Sequence, residues 1–417
     1  MKRLELRWAL YDWANSVYSL LITSSLFPVY WDLVTPDYVY GIRKSALYSL
    51  TLTAAFLVIA LIAPPLGAIA DLRGWRKQFM TLFLIMGSIA CSLLYFYTGS
   101  DPLFGTTMFF FATVGFAGSL VFYNAYLPDI TTPQRFESVS ALGYSLGYIG
   151  SVLLAIVSLF IIMNPEKLGL ADSLEGFRVS FLLTGLWWIG FGLFSVNGLP
   201  KQMFSRSKKL RWLVMASFQR LKNTMLRISG ISQLRLFIIV FFLFSAGVQT
   251  VMYLASLFGA NELNIASEKL IITILVLQLI AIIGAHGMAY LSRKLGNMTI
   301  LQYAGIGWLM ICLMAFLITT EWEFYVVAGL VGILMGGTQS LLRATYAQFI
   351  HQYKGRYTVY FGFYETTEKV AIVLGTLLFA LLDQMMESMR WGALITGFWF
   401  VLAVVIAYSG LKKRVFR

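Results

Sequence analysis

Three short stretches hold most of the side chains able to do chemistry in an otherwise oily chain. In the first, Asp12, Asn15, Ser16, Ser19 and Thr23 recur at helical spacing along one face, with Tyr11, Asn15 and Tyr18 at its margin. A carboxylate, an amide and hydroxyls in one stripe can bind a polar solute or carry a proton. Asp12 alone has a second reading, as a cap, salt bridge or gate near the end of its helix. In the second stretch, Gln339, Arg343 and Tyr346 share a side. Arg343 cannot shed its charge, so it requires an acid partner or an anionic group on a solute. Gly336 and Gly337 just before it let a helix or a ligand approach the backbone closely. The third stretch carries Tyr364, Glu365, Glu368 and Lys369. Glu365 and Lys369 can pair along a helix. Glu368 is then left to face Arg343 or to titrate, so a closed bonding network and a proton-coupling site both remain open. Asn124, Gln249, Gln278 and His286 stand alone in apolar surroundings and read as interhelical hydrogen bonds, with Gln249 the best candidate for a ligand among them.

The elements that position these groups follow from composition. Of 417 residues, 59% are hydrophobic and 12% charged, against roughly 25% charged in a soluble domain. That excludes a soluble enzyme, a disordered scaffold and a disulfide-stapled domain. Two cysteines, Cys91 and Cys312, and two histidines give no metal spacing. A spanning helix needs about 20 mostly apolar residues. Twelve such runs are expected, near 10–34, 44–70, 79–99, 103–127, 137–163, 177–199, 235–259, 268–291, 299–318, 324–349, 358–382 and 390–410. The polar stretch 200–232 separates them into an N-terminal six-helix bundle (1–199) and a C-terminal one (233–417). The start, with Lys2, Arg3 and Arg7, reads as an uncleaved first span.

Basic residues collect on alternate connections: Lys2, Arg3 and Arg7; Arg73, Arg76 and Lys77; Arg135; the central stretch; Arg293 and Lys294; Lys354 and Arg356; Lys412, Lys413, Arg414 and Arg417. This bias places both termini and the central stretch on the cytoplasmic side. Within the central stretch, Leu210, Leu213, Val214, Phe218, Leu221, Met225 and Ile228 repeat at helical spacing opposite Arg and Lys (including Arg206, Lys208, Lys209 and Arg211), as in a helix lying on the inner leaflet.

Six spans, a basic linker and six more is the layout of a carrier built from two related bundles. The connection after the second run reads Gly67-Ala-Ile-Ala-Asp71-Leu72-Arg73-Gly74-Trp75-Arg76-Lys77. Gly67 permits close packing, Asp71 can pair with a base or cap a neighbouring helix, and Gly74 allows a tight turn. This resembles the loop signature of the major facilitator superfamily at Gly67, Asp71, Gly74 and Arg76, and departs from it at Leu72 and Trp75. The equivalent place in the second half keeps Gly287, Arg293, Lys294 and Gly296 but has Leu291 in place of the acid, so charge-based gating is expected of the first half. Tyr11-Asp12-Trp13-Ala14-Asn15-Ser16-Val17-Tyr18 resembles the hallmark of one branch of that superfamily, the vacuolar amino-acid effluxers of autophagy and their bacterial relatives. Tyr123 to Asp129, Gly143 to Gly150, Gly336 to Arg343 and Phe361 to Glu365 agree with it.

The resemblance implies an all-α membrane carrier working by alternating access, with amino acids as the substrate class suggested by the eukaryotic members. Tyr11, Asp12, Asn15, Tyr18, Asn124, Gln249, Gln339, Arg343, Tyr364, Glu365 and Glu368 are the candidate substrate or coupling residues, and Gly67, Asp71, Gly74 and Arg76 the gate. Expected partners are the bilayer, a small polar solute and protons. No nucleic acid or cofactor is expected, the carrier is expected to act as a monomer, and a bacterial cytoplasmic membrane is the expected site. Sugars, peptidoglycan fragments or drug-like compounds are the competing cargo. A non-transporting sensor on the same fold, with the basic central helix as its partner surface, is the competing class.

Overall fold

The computed structural model describes residues 3–201, 210–386 and 389–412. Lys2, Arg206, Lys208, Lys209, Lys413, Arg414 and Arg417, and the side chains of Leu210, Arg211, Leu213, Val214 and Lys412, lie outside the described residues. The chain begins with α1 (Arg3–Val17), runs through a π-helical stretch (Tyr18–Ser25) and continues as α2 (Leu26–Val34) along one rod. A two-residue hairpin, β1 (Tyr38–Val39) and β2 (Ile42–Arg43), leads into α3 (Lys44–Arg73). Then come α4 (Arg76–Leu93), α5 (Pro102–Asn124), the single turn α6 (Leu127–Ile130), α7 (Phe136–Met163) and α8 (Ser173–Asn197). After α9 (Leu210–Gly230) follow α10 (Ser232–Leu263), α11 (Ser267–Leu295), α12 (Asn297–Leu317), α13 (Glu321–Ile350), α14 (Tyr357–Met386) and α15 (Met389–Lys412).

Among the described residues, eleven helical rods are long and apolar enough to cross a membrane. The thirty-residue α14 carries Glu365, Glu368 and Lys369. Local chemistry sets many ends. Gly74 ends α3 in the left-handed region (φ 69°), where its N–H reaches the Ala70 carbonyl, a conformation that costs other residues about 1–2 kcal/mol. Asp101 and Asp172 cap α5 and α8 by accepting from Phe104 N and Glu175 N. Thr320 and Glu323 form a capping box on α13. The π-helical stretch closes where Ser25 leaves helical geometry (φ −134°, ψ −73°) and its hydroxyl donates to Leu20 O at 2.7 Å. Such stretches recur at functional positions in helices.

Charge sorts to the two ends of the rods. At one end lie Asp32 and Asp37 on Lys44, Glu321 on Lys269 and Glu262 on Arg390. At the other lie Arg76 on Asp129 and Glu5 on Arg135; this basic end holds the start of α1.

Among the first-half helices, α1 packs on α7 and α8, and α5 on α3 and α4. Among the second-half helices, α11 packs on α13, α12 on α15, and α10 on α14 and α15. The halves meet where α3 packs on α14 and α7 on α11 and α13. Glycine makes the α3–α14 contact possible. A Cβ on Gly67 would lie 2.5 Å from Thr358 O, and one on Gly362 would lie 2.8 Å from Pro64 Cα. The Gly147 and Gly150 surfaces instead seat α7 against Ser16 and Trp13 of α1. In α9 the expected apolar face is divided: Leu221 and Ile228 pack on the protein, whereas Phe218 and Met225 are exposed.

Candidate functional site

Arg343 is the centre of the site. It sits about 10 Å inside the basic end of α13, two turns from Ile350, and is 2% exposed. Its hydrogen-bond partners among the described residues all come from the first half. Its Nη1 donates to Asp12 Oδ2 (3.1 Å) and to Asn124 Oδ1 (3.3 Å). Nε donates to Ser140 Oγ (2.9 Å), and Nη2 to the Ser140 carbonyl (2.8 Å). Tyr144, Trp8 and Tyr123 stand round the guanidinium at 4.2, 4.8 and 5.6 Å. Tyr123 OH donates to the same Asp12 oxygen at 2.7 Å. Gly143 leaves the room for this: a Cβ there would lie 2.5 Å from Asp12 Oδ2 and 2.9 Å from Arg343 Nη2. A buried charge survives only when paired and hydrogen-bonded, and this one is tied to α1, α5 and α7 at once.

The chain of polar contacts continues inward. Asn124 Nδ2 donates to Glu365 Oε1 at 2.8 Å. Lys369 Nζ lies 3.4 Å from Glu365 and 2.5 Å from Glu368 Oε2. Gln249 Nε2 donates to Glu368 Oε1 at 3.4 Å. Glu368 then lines a small hollow of about 10 Å³, the space of about one water, together with Gln249, Gln339, Tyr364, Ser245, Thr338, Tyr144 and four apolar side chains. Tyr144 is the one lining residue from the first half. Tyr148 OH donates to Gln339 Oε1 from across the seam at 3.2 Å. A larger cavity of about 90 Å³ lies within the second half, among α10 to α13 and α15. Its described lining is apolar apart from the hydroxyls of Thr250, Thr273 and Thr396.

Nearer the basic end the loop signature forms a second inter-half bond. Asp71 accepts from Thr358 N (3.2 Å) and Val359 N (2.9 Å), the first free amides of α14. A carboxylate there satisfies orphan donors and the helix dipole together. Arg76 lies 3.6 Å from Asp71 and donates to Thr358 Oγ1 (2.9 Å), the Ala125 carbonyl (3.0 Å) and Asp129 (2.5 Å). Both side chains are fully buried. Glu137 of α7 accepts from Gln348 of α13 and, at 2.9 Å, from Asn297 of α12.

Several expectations change. Glu368 does not face Arg343; it pairs with Lys369, and Asp12 takes the guanidinium. Lys369 sits closer to its neighbour Glu368 than to Glu365 one turn away. Tyr11, Asn15 and Tyr18 turn away from the hollow into the first half. Tyr11 stacks on Tyr123, Asn15 accepts from Ser119 at 3.5 Å, and Tyr18 shares a hydrogen bond with Thr113 at 2.8 Å. The reason is rotational phase: these three sit off the Asp12 edge of α1, and that edge alone meets Arg343. Tyr346 also turns away, donating to Tyr360 O. His286 does make the interhelical contact read for it, with Ser145 at 3.2 Å. Ser140, Tyr123, Tyr144, Asp129 and Thr358 are the contributors that sequence reasoning missed. Tyr123, Asp129 and Tyr144 lie inside stretches that carry the family resemblance, which was their only signal.

This arrangement of helices, with its loop signature and polar seam, is that of a membrane transporter of the major facilitator type. The proton:xylose symporter XylE superposes with a TM-score of 0.75 at 12% identity, over 97% of this chain and 94% of that one. The transporter FucP in its outward conformation gives 0.67 at 10% identity over 97% of each. The family model for "Vacuole effluxer Atg22 like" proteins matches residues 1–412, and the chain belongs to that family. An uncharacterized MFS-type transporter, YxiO of Bacillus subtilis (strain 168), is 31% identical over 403 residues, covering 96% of this chain and 92% of that protein. Autophagy-related protein 22-1 of Penicillium rubens is 23% identical over 79% of this chain and 69% of its own length.

Proposed function

We infer that this carrier moves small polar solutes, with neutral amino acids as the substrate class, by alternating access. In this reading twelve spans form two bundles, 1–199 and 233–417, joined by 200–232, and both termini face the cytoplasm of a bacterial cell. The chain acts as a monomer. The observation that carries the reading is the continuous polar line from the hollow at Glu368 to Arg343 and Asp12. It ties the small hollow at Glu368 to the bonds that join the halves at the basic end.

Asp12, Asn124, Glu365 and Arg343 belong to the inner gate, reinforced by Gly67, Asp71, Gly74 and Arg76. Gln249, Gln339, Tyr364 and Glu368 belong to the solute pocket. With the basic end sealed, this reading has a solute reach the hollow from the opposite side. A zwitterion suits a pocket with two amides, two tyrosines and an ion pair at its wall.

Purified protein in liposomes should exchange a labelled neutral amino acid for an unlabelled one. Absence of exchange across a panel of amino acids, with folded protein verified, defeats the substrate assignment. Coupling to protons is the second part of the reading, motivated by carboxylates at membrane depth. Glu365→Gln and Glu368→Gln should each flatten the pH dependence of uptake; unchanged profiles in both remove it.

A further inference from the structure

The polar line counts three carboxylates, Asp12, Glu365 and Glu368, against two cations, Arg343 and Lys369. One negative charge is in excess in a place where unbalanced charge is costly. The excess is not evenly placed. Asp12 and Arg343 neutralise each other at the gate, 7% and 2% exposed at the side chain. Lys369 is shared between two acids, and of those two Glu368 is the one that borders the hollow and is the more exposed, at 19% against 1% for Glu365. The wall of the hollow therefore presents a carboxylate whose one charged partner among the described residues, Lys369, is also claimed by a second carboxylate behind it.

We propose that Glu368 receives the ammonium group of the solute, and that Lys369 is the charge displaced by it, moving onto Glu365 and so transmitting occupancy to the inner gate. The proposal rests on the solute-carrier reading above and names the group recognised and the residue that passes on the signal. The chemistry runs through one-for-one exchanges. An ammonium at Glu368 replaces Lys369 in kind, aided by Gln249 on the same carboxylate. Lys369 need shift little, because its Nζ already lies 3.4 Å from Glu365. A Glu365 that is fully paired with Lys369 holds Asn124 less strongly, and Asn124 is the residue whose other amide atom accepts from Arg343. Each link is a direct contact, and the last one crosses between halves. Solute at Glu368 thus weakens the bonds that close the basic end, and an empty site preserves them. A carrier wired this way opens inward when loaded.

The test reads the gate and not transport. Ala347 lies one turn beyond Arg343 on α13, is fully buried in the sealed seam and becomes reachable when the seam parts. Ala347→Cys, in a chain with Cys91→Ala and Cys312→Ala, is labelled with N-ethylmaleimide in detergent. Three probes are added in turn: L-valine, isobutylamine (the same skeleton without the carboxylate) and isovalerate (without the ammonium). Labelling should accelerate severalfold with valine and with isobutylamine, and stay unchanged with isovalerate. Glu368→Gln, which removes the negative charge without solute, should be labelled severalfold faster from the outset and should ignore all three probes. Lys369→Gln should respond to no probe, whatever its starting rate.

Faster labelling with isovalerate, a Glu368→Gln variant labelled as slowly as its parent, or a Lys369→Gln variant that still responds would each overturn the proposal. If Glu368→Gln is fast while no probe acts on its parent, the switch stands and the amino-acid assignment is what fails.

Discussion

Arg343 is a second-half side chain whose hydrogen bonds, among the described residues, all end on first-half atoms. Removing one member of a buried pair leaves an uncompensated charge and costs about 3–5 kcal/mol, whereas removing both together costs much less. Arg343→Met should therefore lower unfolding stability in detergent by about that amount. Asp12→Leu combined with Arg343→Met should recover most of the loss, and a differential-scanning measurement of the four proteins reads the coupling. Equal and additive losses would mean that the pair contributes no mutual stabilisation. Asp71 is different in kind: it accepts from backbone amides at a helix start, and Arg76, 3.6 Å away, keeps Asp129 as a second acid. Asp71→Asn keeps the shape and loses the charge, at a cost of about 1 kcal/mol. Since about 1.4 kcal/mol is tenfold in an equilibrium, this variant should expose Ala347→Cys to maleimide a few times faster and leave the fold intact.

The α3–α14 contact shows what element packing adds to these bonds. Gly67 and Gly362 let two backbones touch at van der Waals distance, which brings the Thr358 and Val359 amides within reach of Asp71 at all. A side chain at Gly67 would meet backbone, which cannot swing aside. Gly67→Val should thus force the basic end apart. Its expected signature is fast labelling of Ala347→Cys together with loss of exchange in liposomes; slow labelling would show that the seal tolerates a wider gap.

The existence of these helices was legible because twenty apolar residues in a row have few other fates in a lipid-dwelling chain. Gly74 was legible for a related reason, since its left-handed turn is a local matter. The partners of Arg343 were not legible. Ser140 lies 203 residues away and Asp12 331 away, and a sequence reports the type of a residue on a helix without the phase at which that helix meets another. That is also why Tyr11, Asn15 and Tyr18, read as one stripe with Asp12, separate in the folded chain. Lys369 illustrates a third limit: spacing favours Glu365 four residues away, but rotamers inside a crowded seam bring it to the adjacent Glu368.

For the molecule as a whole, the sorting of Arg and Lys to one end of the rods sets the expected orientation. Alkaline phosphatase fused after Lys412 should be inactive in a bacterial host, whereas the same reporter inserted in the connection at 169–171 should be active. The reverse result would invert the carrier and with it the meaning of the sealed end. Polar inter-half bonds at Arg343, Asp71 and Glu137 gather toward the basic end. Those at Arg343 and Asp71 work as locks in series, so weakening either alone should raise inward leakage modestly and weakening both should raise it multiplicatively.

The π-helical stretch from Tyr18 to Ser25 has a consequence for heredity. A wider coil accommodates residues that an ordinary α-helix of the same length would not hold, and each residue turns a helix by about 100°. If the stretch instead relaxed to regular pitch at its present length, everything before Tyr18 would twist by roughly 100°, one residue's turn, against everything after Ser25. Asp12 would then rotate off Arg343 although neither had been touched. The first rod is therefore a dial with one working setting, and loss of one residue from the stretch should be tolerated only together with a return to regular pitch.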